Sequence, residues 1–278
     1  FANALYDLDT FKRLIGPIGA AGSLGGIIGG QLTSVLAKTY GTDVVFLISL
    51  IFIIITVLVF YQTRNVKIKG LEPNKSITPI QAITGVKKYV LLIGAVVALS
   101  QFVIFIADLQ FNMVFEKVVT LKDERTAYFG QFYSYINIVS LFLQFVVLPF
   151  ALIRLKTKTI FLFVPILYLF LVLGGLSFGV GSLFVIGAVF ITMKGTDYSI
   201  FAAAKDVMYH PLLNLQKFGA KFITDMFVYR FSKAVIAFIF AQFINIEMNL
   251  LSQLQFIFLS AWIIAVILLF KEQHKLDK

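Results

Sequence analysis

The stretch KGTDYSIFAAAKDVMYHPL, residues 194–212, decides how the chain is read. It sets Lys194, Asp197, Lys205 and Asp206 inside a run that is otherwise apolar enough for a membrane helix. A charge at the centre of a bilayer costs roughly 2.5–3.5 kcal/mol on insertion scales, so such residues usually face a polar pathway. The next apolar run repeats the feature with Asp225, Arg230 and Lys233. Two neighbouring spans that carry ionised side chains imply a route for a charged, anionic solute.

Composition supports the membrane reading. The chain has 278 residues, of which 59% are hydrophobic, and a mean hydropathy of +0.92. A soluble domain would be about 45–50% apolar. The expected fold is therefore all-α, a polytopic transmembrane helical bundle. There is no cysteine, and the two histidines, His210 and His274, are isolated. Neither a metal centre nor a cofactor is expected. The net charge of +10 could suggest nucleic acid, but the basic residues flank apolar runs. Membrane topology accounts for them, so the partners expected are the lipid bilayer and a small anion, not nucleic acid. No nucleophile–base pair or nucleotide-hydrolysis motif is present, and an enzyme is not expected.

Eight apolar segments could cross a bilayer, near 14–37, 44–61, 89–115, 127–153, 159–176, 182–209, 222–243 and 250–270. Each provides about 20 residues for ~30 Å of hydrocarbon. With both ends cytoplasmic, most lysines and arginines fall on the cytoplasmic side. The opposite side then holds only Lys38, Lys117, Lys122 and Arg125, as the positive-inside rule requires. The long basic connection at 63–88 separates two spans from six. That is the layout of a junction between major-facilitator halves. On this reading residues 1–62 are the last two helices of an amino-terminal half, and 89–278 are a six-helix carboxy-terminal half. The chain opens on Phe1 rather than Met, and the expectation is a piece of a twelve-span protein whose first four helices are missing.

Each motif has a bland reading beside the functional one. Gly16, Gly19, Gly22, Gly25, Gly26, Gly29 and Gly30 crowd the first span without a Walker lysine, so they read as a helix-packing face. Asp108 and Asn112 lie one turn apart and could be a substrate or coupling site, or an interhelical hydrogen-bond cluster. Ser134, Asn137 and Gln144 give the fourth span either a wet wall or a polar seam. In the sixth span Lys194, Tyr198, Phe201 and Lys205 follow helical spacing, with the two lysines about 16 Å apart. Asp197 could neutralise Lys194, and Lys221 could pair with Asp225, each across one turn. Arg230 and Lys233 have no acid within a turn and need one from another helix, or an anion.

The segment 194–234 resembles the non-mitochondrial ATP/ADP translocases of plastids and obligate intracellular bacteria. The residues that carry the resemblance are Tyr198-Ser-Ile-Phe201, Lys205-Asp206, Tyr209, Pro211-Leu212, Lys217, Lys221, Asp225 and Lys233. KRLIGPIGAAGSLGGIIGG, from Lys12, is similar to the family's glycine-rich fifth helix. The resemblance implies a twelve-helix, major-facilitator-like fold in a bacterial inner membrane, exchanging nucleotides by alternating access. It places a family glutamate at Asp108 and a family lysine at Lys205. Asn112 stands where the family often has a basic residue. The expected substrate site is Lys194, Tyr198, Lys205, Arg230, Lys233, Asp108, Asn112 and Asn137, with Asp108, Asp197 and Asp225 as coupling or ion-pair residues. Two rivals remain: a proton- or cation-coupled importer of another solute, with Asp108 or Asp225 as relay, and a membrane scaffold or signalling domain with its charges internally paired.

The topology is testable because the chain lacks cysteine. Impermeant thiol reagent should label Lys122→Cys from outside, and Lys75→Cys only after permeabilisation; the reverse pattern overturns the orientation.

Overall fold

The computed structural model describes residues 8–63, 78–179, 181–243 and 247–276, and among them there is helix and no strand. We number the long helices α1 (Leu8–Tyr40), α2 (Thr42–Thr63), α3 (Lys87–Val118), α4 (Lys122–Arg154), α5 (Thr157–Phe178), α6 (Leu183–Met208), α7 (214–241) and α8 (Met248–Leu276). A single turn, Pro79–Ala82, capped by Thr78, precedes α3. The connection expected at 63–88 falls mainly on residues 64–77, outside the described ones.

Seven of these helices are long and apolar enough to cross a membrane, the pattern of a multi-pass membrane protein. The helix that falls short is α7. It was expected as the seventh of eight spans, but Lys217, Lys221, Asp225, Arg230 and Lys233 interrupt its apolar run. Those charges decide the site rather than the fold, because α7 still packs along α3.

Within hydrocarbon, moving apolar surface against a neighbour gains little, since lipid tails are equally apolar; close packing and interhelical hydrogen bonds have to hold the bundle. The main contact is α1 on α4, and it is built from bare backbone. A Cβ on Gly16 would lie 2.6 Å from the Gln144 carbonyl oxygen, and one on Gly30 2.5 Å from that of Gly130. Gly26 faces Asn137 equally closely. Gly22, Gly25 and Gly29 have open space instead. The glycine-rich run is thus a packing face as expected, but one carried by a subset of its glycines.

The bundle is also tied at its helix ends. Gly41, at φ +85°, is the one residue between α1 and α2, a left-handed conformation that a side chain would strain. The Thr42 N–H and hydroxyl then donate to the Asp123 carboxylate at 2.9 and 2.6 Å, so α4 satisfies the start of α2. At the opposite end Lys88 pairs with Glu272 at 3.0 Å, joining the start of α3 to the end of α8. Helix ends that the charge pattern put on one side are therefore in contact.

The core lies among α3, α5, α6 and α8, around Trp262, Tyr168, Phe161 and Phe201. Trp262 meets Phe201 edge-on at 5.3 Å and Tyr168 at 5.7 Å. A second aromatic cluster, in which Phe111 stacks on Phe190 at 4.6 Å, holds α3 to α6. By contrast the apolar window of α2 buries nothing, leaving its side chains to lipid or further helices.

Three helices widen into π turns, at Leu143–Val147 in α4, Asp197–Phe201 in α6 and Phe222–Val228 in α7. In α4 the cause is visible: Pro149 has no N–H and its ring would strike the carbonyl four residues earlier, which the wider turn relieves.

The seam gives a stability test. Gly30→Ala should cost about 1–3 kcal/mol through overpacking against Gly130 and Ser134, whereas Gly25→Ala, in open space, should be neutral or better. Thermal unfolding in detergent reads the difference, and equal losses would contradict the packing assignment.

Candidate functional site

Helices α1, α3, α4, α6 and α7 surround a cavity of about 400 Å³. Its wall is Gly19, Gly22 and Ser23 from α1, Val97 and Gln101 from α3, and Asn137 and Gln144 from α4. Asp197, Tyr198, Phe201, Ala202 and Lys205 come from α6, and Tyr229 from α7. Gln101, Asn137 and Tyr198 sit in the middle third of helices long and apolar enough to cross a membrane, and Tyr229 in the middle third of α7.

The wall residues on α6 owe their directions to its π turn, which inserts a residue into the helical register. The regular spacing of Lys194, Tyr198, Phe201 and Lys205 predicted one shared face; Tyr198, Phe201 and Lys205 do line the cavity together, and Lys194 does not. Lys194, only 6% exposed, turns toward the rings of Phe190 and Tyr198, 5.7 and 6.0 Å from their centres. Lys205 reaches the cavity. Phe201 touches the cavity but is held in the aromatic core. Side chains and hydroxyls serve the disturbed backbone: Tyr168 donates to the Met193 carbonyl at 2.6 Å, and Ser199 to that of Gly195 at 2.6 Å.

The ion pairs cross between helices rather than along them. Lys205 Nζ is 2.7 Å from Asp225 Oδ1, and Lys221 Nζ is 2.8 Å from Asp206 Oδ1. Pairing of Lys221 with Asp225 along α7 was the expectation from one-turn spacing. The π turn over Phe222–Val228 takes Asp225 out of that register, and it meets α6 instead. Asp225 also accepts from the Tyr209 hydroxyl at 3.1 Å, and Tyr209 is itself hydrogen-bonded to Thr224.

Lys194 and Asp197 do not form the neutralising pair that their spacing allowed; among the described residues Lys194 and Lys233 have no ion-pair partner. Lys233 donates to the Tyr229 hydroxyl at 2.8 Å and lies over that ring. Asp197, 7% exposed, is within electrostatic reach of Lys194, Lys233 and Lys205. Beside it stands Gln101, 1% exposed; its Nε2 donates to Ser100, while its Oε1 has no hydrogen-bond partner. Gln101 also hydrogen-bonds the Asp197 carboxylate, and its one unanswered atom, Oε1, is a group that a bound molecule or water can satisfy.

Asp108 stands off the cavity wall but is within electrostatic reach of Lys194. Asn112, one turn farther along α3, is half-buried and does not line the cavity. Arg230 is not brought in either: it is exposed, beside the outward stack of Phe227 on Phe231. Of the polar residues on α4, Asn137 lines the cavity, while Ser134 donates to the Ile27 carbonyl and belongs to the seam. Gln144 does both, accepting from Ser23 at 3.0 Å and donating to the Tyr198 carbonyl at 3.1 Å. Gln101 escaped the sequence reading. The polar pair Ser100-Gln101 inside an apolar run was the available signal.

The chain matches no protein-family model, no curated protein and no solved structure.

Two substitutions compare a side chain that ties helices together with one hydrogen-bonded only within its own helix. Gln144→Ala removes hydrogen bonds to α1 and α6 and should cost about 1–3 kcal/mol. Asn137→Ala, whose side chain donates only to Tyr133 of its own helix, should stay within about 1 kcal/mol. Chemical or thermal unfolding of the two variants checks the order.

Proposed function

We propose that the chain is part of a secondary membrane transporter that binds a nucleotide or a related phosphorylated anion in this cavity. One observation carries the reading: a polar space at membrane depth, with Lys205 on its wall and Lys194 and Lys233 close behind it. A phosphate group offers several acceptor oxygens to ammonium donors, and such charge-assisted bonds are roughly twice as strong as neutral ones. Tyr198 and Tyr229 bring aromatic surface to the same wall, suited to a base or sugar face. Arg230 stays in the proposal only as a residue outside this first contact layer.

The finer architecture belongs to the same proposal. Eight spans with α7 as the seventh, a major-facilitator-like half, both ends cytoplasmic and a bacterial inner membrane together give α7 a physical role. A helix too polar to face lipid on every side is stable where one face lines a water-filled path. Alternating access would rock this bundle against the other half of the transporter. The resemblance of residues 194–234 to the plastid and bacterial ATP/ADP translocases supports nucleotides as the substrate class.

Uptake into proteoliposomes containing the full-length protein tests this. ADP and ATP should be transported and adenosine should not. Losing one charge-assisted phosphate bond of about 1.5–3 kcal/mol corresponds to ~10–100-fold, so Lys205→Ala and Lys194→Ala should fall by that order and Arg230→Ala by less. Uptake that ignores internal nucleotide and follows a proton gradient would replace this reading with the coupled importer.

A further inference from the structure

Lys205 is the lysine on the cavity wall, yet its charge is already answered. Asp225 holds it at 2.7 Å from the neighbouring helix, and neither side chain is sealed off, with 17% and 29% exposure. An anion that enters must therefore take Lys205 from Asp225 or bind without it. We propose that Asp225 is a built-in counterion that occupies the phosphate position on Lys205, and that the substrate's phosphate displaces it. The inference rests on the reading of the cavity as a site for phosphorylated anions.

The surroundings of Asp225 suit a carboxylate that changes partner. It accepts from the Tyr209 hydroxyl at 3.1 Å, so a donor remains when Lys205 leaves. Tyr209 is buried and fixed beside Thr224, which keeps that donor in place. A second pair of opposite polarity, Asp206 with Lys221 at 2.8 Å, joins the same two helices and does not need to open. The exchange thus loosens one tie between α6 and α7 while the other holds. It also makes the site selective. A neutral nucleoside offers Lys205 nothing better than the carboxylate it has, whereas a phosphate brings more charge and more acceptor oxygens to the same ammonium.

Equilibrium binding of ADP to the full chain in lipid nanodiscs, with adenosine as the neutral control, tests the exchange. Asp225→Asn keeps the acceptor for Tyr209 but releases Lys205, and should tighten ADP binding by about twofold to fivefold, the scale of a partly exposed ion pair. Asp225→Glu keeps the charge and should stay near the unsubstituted protein. Lys205→Gln should weaken ADP, and the double variant Lys205→Gln/Asp225→Asn should be no tighter than Lys205→Gln alone. Thermal unfolding of each variant establishes that it is folded; where Asp225→Asn is not, a double-mutant comparison built on Asp225→Ser replaces it. If the unsubstituted chain binds ADP and the folded neutral variant binds it equally or more weakly, displacement is wrong, and Asp225 instead positions Lys205 for the substrate. If the unsubstituted chain shows no saturable ADP binding, the nucleotide reading of the cavity fails, and the inference falls with it.

Discussion

A charge placed in hydrocarbon has to be answered, and the arrangement of α3, α6 and α7 follows from how Lys194, Lys205 and Lys233 are answered. Asp108, Asp197 and Asp225 face them from the same three helices. Only Lys205 and Asp225 are in contact. Asp108 and Asp197 attract Lys194, and Asp197 attracts Lys233, without forming an ion pair. A scaffold whose charges served stability alone would gain most by closing every pair, since a buried charge without a close partner is costly. Leaving Lys194 and Lys233 without an acid partner gives up that stabilisation, and their ammonium groups lie instead against the rings of Phe190, Tyr198 and Tyr229.

Packing makes that spacing possible. Helix α1 approaches α4 through bare glycine backbone, and Gln144 ties both to the carbonyl of Tyr198. The wall is thereby fixed from behind by hydrogen bonds rather than by apolar burial, which counts for little between helices in lipid. The π turns in α6 and α7 set the final directions of the side chains. They turn Lys194 inward and Lys205 toward the cavity, and they bring Asp225 to α6 rather than to its own helix.

Much of the fold was legible in the sequence because apolar length is a direct physical requirement of a membrane span. The helices fall where the apolar runs are, and the ends grouped by charge are found together. The site was legible by residue type more than by geometry. Lys205, Tyr198, Asp197 and Asn137 stand on the cavity wall; charges inside apolar runs were enough to single out Lys205 and Asp197, and helical spacing brought in Tyr198. Pairings were not legible, because one-turn spacing assumes a regular α-helix and the π turns break that assumption. Nothing at Asp197–Phe201 or Phe222–Val228 resembles the proline that announces the turn in α4. Arg230 was drawn in by its charge, and only its exposed direction on α7 removes it. Gln101 was passed over because a single amide in an apolar run is common; its buried, unanswered oxygen is what distinguishes it.

The central claim is that these charges surround a water-accessible anion site, with Asp197 and Lys205 on its wall, and are not an internally satisfied packing device. The absence of cysteine allows a direct measurement in the full-length protein: the rate at which a small, impermeant thiol reagent modifies Asn137→Cys, with and without ADP. The account predicts modification at membrane depth, slowed by ADP and unaffected by adenosine. A cysteine there that does not react in the folded protein, or reacts at the same rate with ADP present, would contradict it.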